Sequence, residues 1–131
     1  MFVDASALTA MLVDEHDAAE LLARMQAYPT RITSPLAVWE TVLAVSRILG
    51  LGVLDAETAV EAFLALVGIT VEPVPAETRG LAIAAFQRFG KGRHPAGLNF
   101  GDCFAYACAR QARLPLLYRG DDFTRTDIEA A

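Results

Sequence analysis

The chain is short of the residues that several kinds of protein depend on. Cysteine occurs twice in 131 residues, as Cys103 and Cys108. Five helical steps of about 100° turn those two thiols to different sides of a helix, so no disulfide between them is expected. Histidine is equally scarce. His16 and His94 have no Cys or His at ligand spacing, which argues against a structural zinc site. Basic charge is in deficit, with 11 Lys and Arg against 16 Asp and Glu and a net charge of −5. Bulk charge alone would therefore not hold the chain on nucleic acid, although a local basic patch is compatible with it. No linker, repeat or low-complexity run interrupts the sequence. Its start, MFVDAS, has neither the basic n-region nor the apolar h-region of a signal peptide. The longest apolar stretch, 35–54, reaches membrane-spanning length but contains Glu40 and Arg47. It reads as a buried helix carrying an acid, not as a span. A cytoplasmic protein without a membrane partner is expected.

Apolar residues are abundant instead. They make up 54% of the chain against 21% charged, and the mean hydropathy is +0.36. That excludes disorder, and 131 residues suffice for one domain with its own core. Residues 1–131 are read as a single domain. Met1–Val3 is a short apolar strand ending at Asp4, followed by a helix from Ser6 and an amphipathic helix over 15–28. A short β-prone run at 30–33 leads to Ser34-Pro35, an N-cap with proline at the first helical position. That helix should run to Leu49 and stop at Gly50. Further helices are expected over 55–67, 75–89 and 99–113, with strands at 69–74 and 116–118. Helices alternating with short apolar strands point to a three-layer α/β fold with a mainly parallel sheet.

Several carboxylates stand where the pattern should be apolar or at element ends. Asp4 follows the first strand, and the carboxyl ends of parallel strands are where ligands and reactive groups collect. It would also serve as an ordinary helix cap. A haloacid-dehalogenase site would need a second aspartate two positions on, where Ser6 stands; a receiver domain would need an acidic pair ahead of Asp4. Glu40 lies between Leu36 and Leu43 on an apolar helical face. A buried unpaired carboxylate costs several kcal/mol, so Glu40 needs a cation, a hydrogen-bond network or a proton. A metal or catalytic role is the reading preferred for Glu40, ahead of a purely structural pairing with Arg47, two turns along the same stripe. Asp102 stands three residues after Asn99 at capping-box spacing, with Gly101 leaving room beside it. Asp121 and Asp122 follow the last strand in a GDDF turn, and Asp127 is a weaker candidate nearer the end.

In a parallel sheet these acids converge on one rim. Clustered carboxylates repel, and hard oxygen donors without His or Cys favour Mg²⁺ or Mn²⁺. Such a set activates water at a phosphodiester. No Walker-A loop, GxGxxG motif or Ser-His-Asp arrangement competes.

The segments MFVDASAL, SPLAVWETVLAV, GKGRHPAGLNFGDCFAYACA and LLYRGDDFTRTDI, in that order, make the chain resemble the PIN-domain ribonucleases, specifically the VapC-like toxins of toxin–antitoxin pairs. The resemblance spans nearly the whole chain. It implies a three-layer α/β/α PIN-like fold and a Mg²⁺- or Mn²⁺-dependent endoribonuclease. Asp4, Glu40 and Asp102 match the family's first three acidic positions; Asp121 and Asp122 both remain open for the fourth. Ser6 matches a small hydroxyl residue near the site. Asp4 and Asp102 would be the principal ligands, with Glu40 holding or deprotonating the attacking water. Lys91, Arg93 and His94 in one loop, with Arg119, would form a cationic lip that contacts RNA phosphates. The implied partners are an RNA read at an exposed loop, such as that of a tRNA or rRNA, a VapB-like antitoxin, and a second copy in a homodimer. A PIN nuclease for RNA processing or DNA flaps, and a degenerate PIN module that binds without cutting, are the competing readings.

Overall fold

The computed structural model describes residues 1–131. Four strands, β1 (Phe2–Val3), β2 (Ile32–Thr33), β3 (Thr70–Val71) and β4 (Leu116–Leu117), pair in the order β3-β2-β1-β4. All pairs are parallel, with Phe2 opposite both Ile32 and Leu116, and Ile32 opposite Thr70. Six helices complete the chain: α1 (Ala5–Leu12), α2 (Ala18–Gln26), α3 (Pro35–Leu49), α4 (Val53–Val67), α5 (Thr78–Phe89) and α6 (Phe100–Ala112).

The three layers follow from the two-residue alternation of the strands. Met1, Val3 and Leu117 point into one core with side chains of α1, α2, α3 and α4. Phe2 and Leu116, their neighbours in sequence, point the opposite way into a second core with α5 and α6. Both strands are fully buried, so they read as continuous apolar runs without alternation of polarity. The order of strands reverses beside β1, since β2 and β3 extend the sheet on one side and β4 on the other. A crevice opens at such a switch point, beyond the carboxyl ends of the strands.

Local signals place the helix ends. The Ser34 hydroxyl accepts the Ala37 N–H with proline in the first turn, and Gly50 closes α3 in the left-handed conformation at φ 66°. Three elements are shorter than their patterns suggest. Asp14 adopts φ 56°, which breaks the chain before α2, so that helix begins at Ala18 and not at 15. Pro73 and Pro75 withhold N–H groups and bias their predecessors away from helix, so β3 ends at Val71 and α5 starts at Thr78. α3 is also less buried than its composition suggests. Only Ala37, Thr41, Val42 and Val45 are buried, while Trp39 is 63% exposed. No single helix is long and apolar enough to cross a membrane.

Candidate active site

Asp4 leaves β1 in extended conformation and caps α1, because its carboxylate accepts the Ser6 N–H at 3.0 Å. The Ser6 hydroxyl donates to the same Oδ2 at 2.5 Å and accepts the Arg119 backbone N–H at 3.0 Å. Ser6 thus ties the exit of β1 to the exit of β4. Asp4 is 4% exposed. Burial pushes its carboxyl above the ordinary value, the Ser6 bonds oppose that, and the Asp122 charge adds to it.

Asp102 and Asn99 form a reciprocal capping box. The Asn99 N–H donates to Asp102 Oδ2 at 2.8 Å, and the Asp102 N–H donates to Asn99 Oδ1 at 3.0 Å. The cap occupies one carboxylate oxygen, and Asp102 lines the crevice. Desolvation pushes the Asp102 carboxyl up to about 6, against the Asn99 hydrogen bond and with help from the Asp4 and Asp122 charges.

Glu40 reaches this group from the second turn of α3, across the start of α6. Its carboxylate lies against Gly101, where a Cβ would stand 2.6 Å from the Glu40 Cδ. A glycine one residue before Asp102 therefore lets the two acids share a wall. Desolvation, then the Asp4 and Asp102 charges, push the Glu40 carboxyl up to about 7. Arg47 lines the same cavity but forms no ion pair with Glu40.

The crevice has a volume of about 360 Å³ and contains Asp4, Ser6, Glu40, Asp102 and Asp122 on its lining. Of the GDDF pair, Asp122 joins the cavity wall and Asp121 does not; the Asp121 carbonyl accepts the Thr124 N–H at 3.1 Å and shapes the turn. Phe123 anchors that turn by burial against Tyr118. Asp127 stands elsewhere, accepting from the Tyr106 hydroxyl at 2.6 Å and pairing with Arg88 at 3.1 Å.

Of the four residues read as a cationic lip, the structure brings Arg119 alone to the cavity wall. Lys91, Arg93 and His94 are absent from the cavity wall. Arg93 lies over the Phe86 ring, and His94 accepts the Ala96 N–H through Nδ1 while packing edge-on to Phe89. Arg119 does line the cavity, but its guanidinium pairs with Glu15 at 2.6 Å and Asp17 at 2.9 Å.

Glu15, His16 and Asp17 bring ligand-type atoms within 4.8 Å of one another, a grouping that the sequence reading did not single out. The run of charged residues between the first two helices was the available signal. Arg119 pairs with both acids, so this group already has a protein cation as its partner. The crevice acids differ: no Lys or Arg comes within 4.0 Å of Asp4, Glu40, Asp102 or Asp122. A set of carboxylate oxygens with no ion-pair partner, three of which (Asp4, Glu40 and Asp102) have raised proton affinity, fits a hard divalent ion such as Mg²⁺ or Mn²⁺. Cysteine chemistry is not offered here, because burial pushes Cys103 and Cys108 up to about 11.

The sequence model of the PIN domain matches residues 1–129. Ribonuclease VapC30 of Mycobacterium tuberculosis is 39% identical over 128 residues, covering 98% of this chain and 95% of that protein. Ribonuclease VapC of Mycolicibacterium smegmatis is 37% identical over 130 residues, covering 99% and 98%. Among solved structures, the crystal structure of Mycobacterium tuberculosis VapC20, described as a sarcin-ricin loop cleaving toxin, superposes with a TM-score of 0.76 at 21% identity, over 99% of this chain and 97% of that one. A toxin–antitoxin complex from Klebsiella pneumoniae gives 0.69 at 17% identity, over 96% and 92%. The chain belongs to the PIN-domain family, among the VapC ribonucleases.

Proposed function

We propose that the protein is the toxin of a toxin–antitoxin pair, an endoribonuclease that hydrolyses RNA phosphodiester bonds with Mg²⁺ or Mn²⁺ bound in the β1–α6 crevice. The observation that carries this reading is the cluster of Asp4, Glu40, Asp102 and Asp122 on one crevice wall, none of them in an ion pair. The naming of its relatives as ribonucleases supports RNA as substrate.

Asp4 and Asp102 would be the principal ligands, with Glu40 beside them and Asp122 completing the set. When bound, the ion neutralises the carboxylates, polarises the phosphodiester and makes water a competent nucleophile near pH 7. Ser6 holds the Asp4 carboxylate in one orientation through two hydrogen bonds. The capping box fixes Asp102 through Oδ2, so its aim is set by the start of α6. Glu40 makes no such bond, and a carboxylate free of hydrogen-bond partners on the same crevice wall as Asp4 and Asp102 suits a group that takes the proton of the attacking water.

A VapB-like antitoxin and a homodimeric state belong to the same reading. The apolar side chains that α3 and α4 leave exposed, Trp39, Ile48, Leu49, Val53, Leu54 and Leu66, provide surface for such contacts. A protein confined to the cytoplasm with its RNA substrate follows from that role.

The test is cleavage of total cellular RNA with and without Mn²⁺, beside Asp4→Ala and Asp102→Asn. Cleavage that needs the ion and is lost in both folded variants is expected. Growth arrest on expression, relieved by a small co-expressed partner, is the expected cellular counterpart. A wild-type protein that cuts no RNA with either Mg²⁺ or Mn²⁺ overturns the proposal.

A further inference from the structure

A polyanionic substrate entering a crevice walled by five carboxylates, Asp4, Glu15, Glu40, Asp102 and Asp122, needs positive charge at its rim. The sequence offered the 90–97 loop and Arg119 for that purpose; Lys91, Arg93 and His94 stand off the crevice wall, and Arg119, which is on it, has its guanidinium paired with Glu15 and Asp17. One other cation stands at the site. Arg47 lies on α3, on the same helical face as Glu40, Ala44 and Ile48, and with them it forms one wall of the crevice. It is exposed, and it makes neither an ion pair nor a side-chain hydrogen bond with any residue of the chain. Seven residues of helix separate it from Glu40 by about 10 Å along the axis.

We infer that Arg47 holds a phosphate flanking the scissile one, and so positions the RNA backbone along α3. The inference rests on the nuclease reading above. Three features carry it. The guanidinium is the one on the crevice wall that no protein carboxylate occupies. Arginine offers a planar fork that matches two phosphate oxygens. Its location on a rigid helix also fixes its distance from Glu40, so a phosphate held there sets the register of the strand against the acids. Backbone contacts of this kind position the substrate without reading its bases. Arg47 is thus a positioning residue, distinct from the acids that touch the reacting atoms.

The experiment measures kcat and KM on a labelled pool of random 20-nucleotide single-stranded RNAs with Mn²⁺, from about 50 to 300 mM KCl, for wild type, Arg47→Ala and Arg47→Lys. The expected result for Arg47→Ala is a rise in KM of about tenfold with kcat little changed. The log–log salt dependence of kcat/KM should flatten by about 0.7, the share of one phosphate contact on a single strand. Loss should be even across sequences in the pool. Arg47→Lys keeps the charge and should restore the salt slope while recovering only part of KM. Mn²⁺ affinity by calorimetry should match wild type in both variants. An Arg47→Ala protein with wild-type KM and salt slope overturns the inference while leaving the nuclease reading intact. Loss of Mn²⁺ binding in that variant also overturns it, by showing that Arg47 acts on the acids. A wild-type protein that cleaves neither this pool nor total cellular RNA removes the nuclease reading and this inference together.

Discussion

Gly101→Ala perturbs the crevice without changing one of its carboxylates. An added Cβ would overlap the Glu40 carboxylate and stand 2.6 Å from its Cδ. The obstruction is the end of a flexible side chain, so Glu40 can rotate aside while α3 and α6 keep their packing. Gly101 lies inside α6, where exchange of glycine for alanine favours the helix by about 1 kcal/mol. The expected protein is therefore folded, with stability unchanged or raised by up to ~1 kcal/mol in denaturant unfolding without metal. Its site, however, loses Glu40 from the shared wall. Displacing a supporting group at a metal site commonly lowers affinity by about 10- to 100-fold, and that is the loss expected for Mn²⁺ in calorimetry. RNA cleavage should fall at least as far. A folded Gly101→Ala protein with wild-type Mn²⁺ affinity would refute the reasoning, because the close approach of Glu40 to α6 would then have no bearing on the ion.

Metal-free protein should lose stability as pH rises. Glu40 and Asp102 titrate at about 7 and about 6 in the fold, above their ordinary 4.5 and 3.8, so the native state binds extra protons between those limits. The stabilisation is complete below pH ~4 and is lost through pH 6–7; after discounting for partial exposure it amounts to about 1 kcal/mol per group, visible in urea unfolding at pH 5 against pH 8. Mn²⁺ affinity should rise over the same interval, since the ion competes with those protons. Ser6→Ala removes the hydroxyl's bond to Asp4 and its tie to Arg119 while keeping the backbone N–H bond, and should cost about 1–2 kcal/mol in stability along with much of the cleavage rate. Asp122→Asn should reduce cleavage strongly and Asp121→Asn only slightly, because Asp122 alone of that pair lines the crevice. Asp127→Asn should lower the melting temperature through its Tyr106 and Arg88 contacts and leave cleavage at the wild-type rate.

The sequence made the layers legible because buried parallel strands and capped helices leave plain marks. Ser34-Pro35, Gly50 and the Asn99–Asp102 spacing each fix an end by local chemistry that needs no tertiary context. The convergence of Asp4, Glu40 and Asp102 was readable because an acid on an apolar helical face demands an explanation. What escaped was side-chain pairing across distant segments. Arg119 looked free beside the GDDF turn, yet Glu15 and Asp17, about a hundred residues earlier, claim its guanidinium. Helical periodicity allowed Arg47 as a structural partner of Glu40, the less favoured of the two readings, and Arg47 stands unpaired. Periodicity sets which face a residue occupies; it does not say which charge wins a contact in three dimensions. The choice between Asp121 and Asp122 was hidden for a similar reason. It depends on how buried Phe123 orients the turn, a packing outcome without a local signature.

The central claim is that the crevice acids form a divalent metal site. Calorimetric titration of antitoxin-free protein with Mn²⁺, beside Asp102→Asn, tests it most directly. Asparagine retains an oxygen able to accept the Asn99 N–H, so the helix start survives the exchange, and circular dichroism verifies the fold. Binding by wild type that weakens at least tenfold in the folded variant is the predicted result. Absence of binding by wild type, or equal binding by both proteins, would contradict the account and reduce these carboxylates to caps and turns.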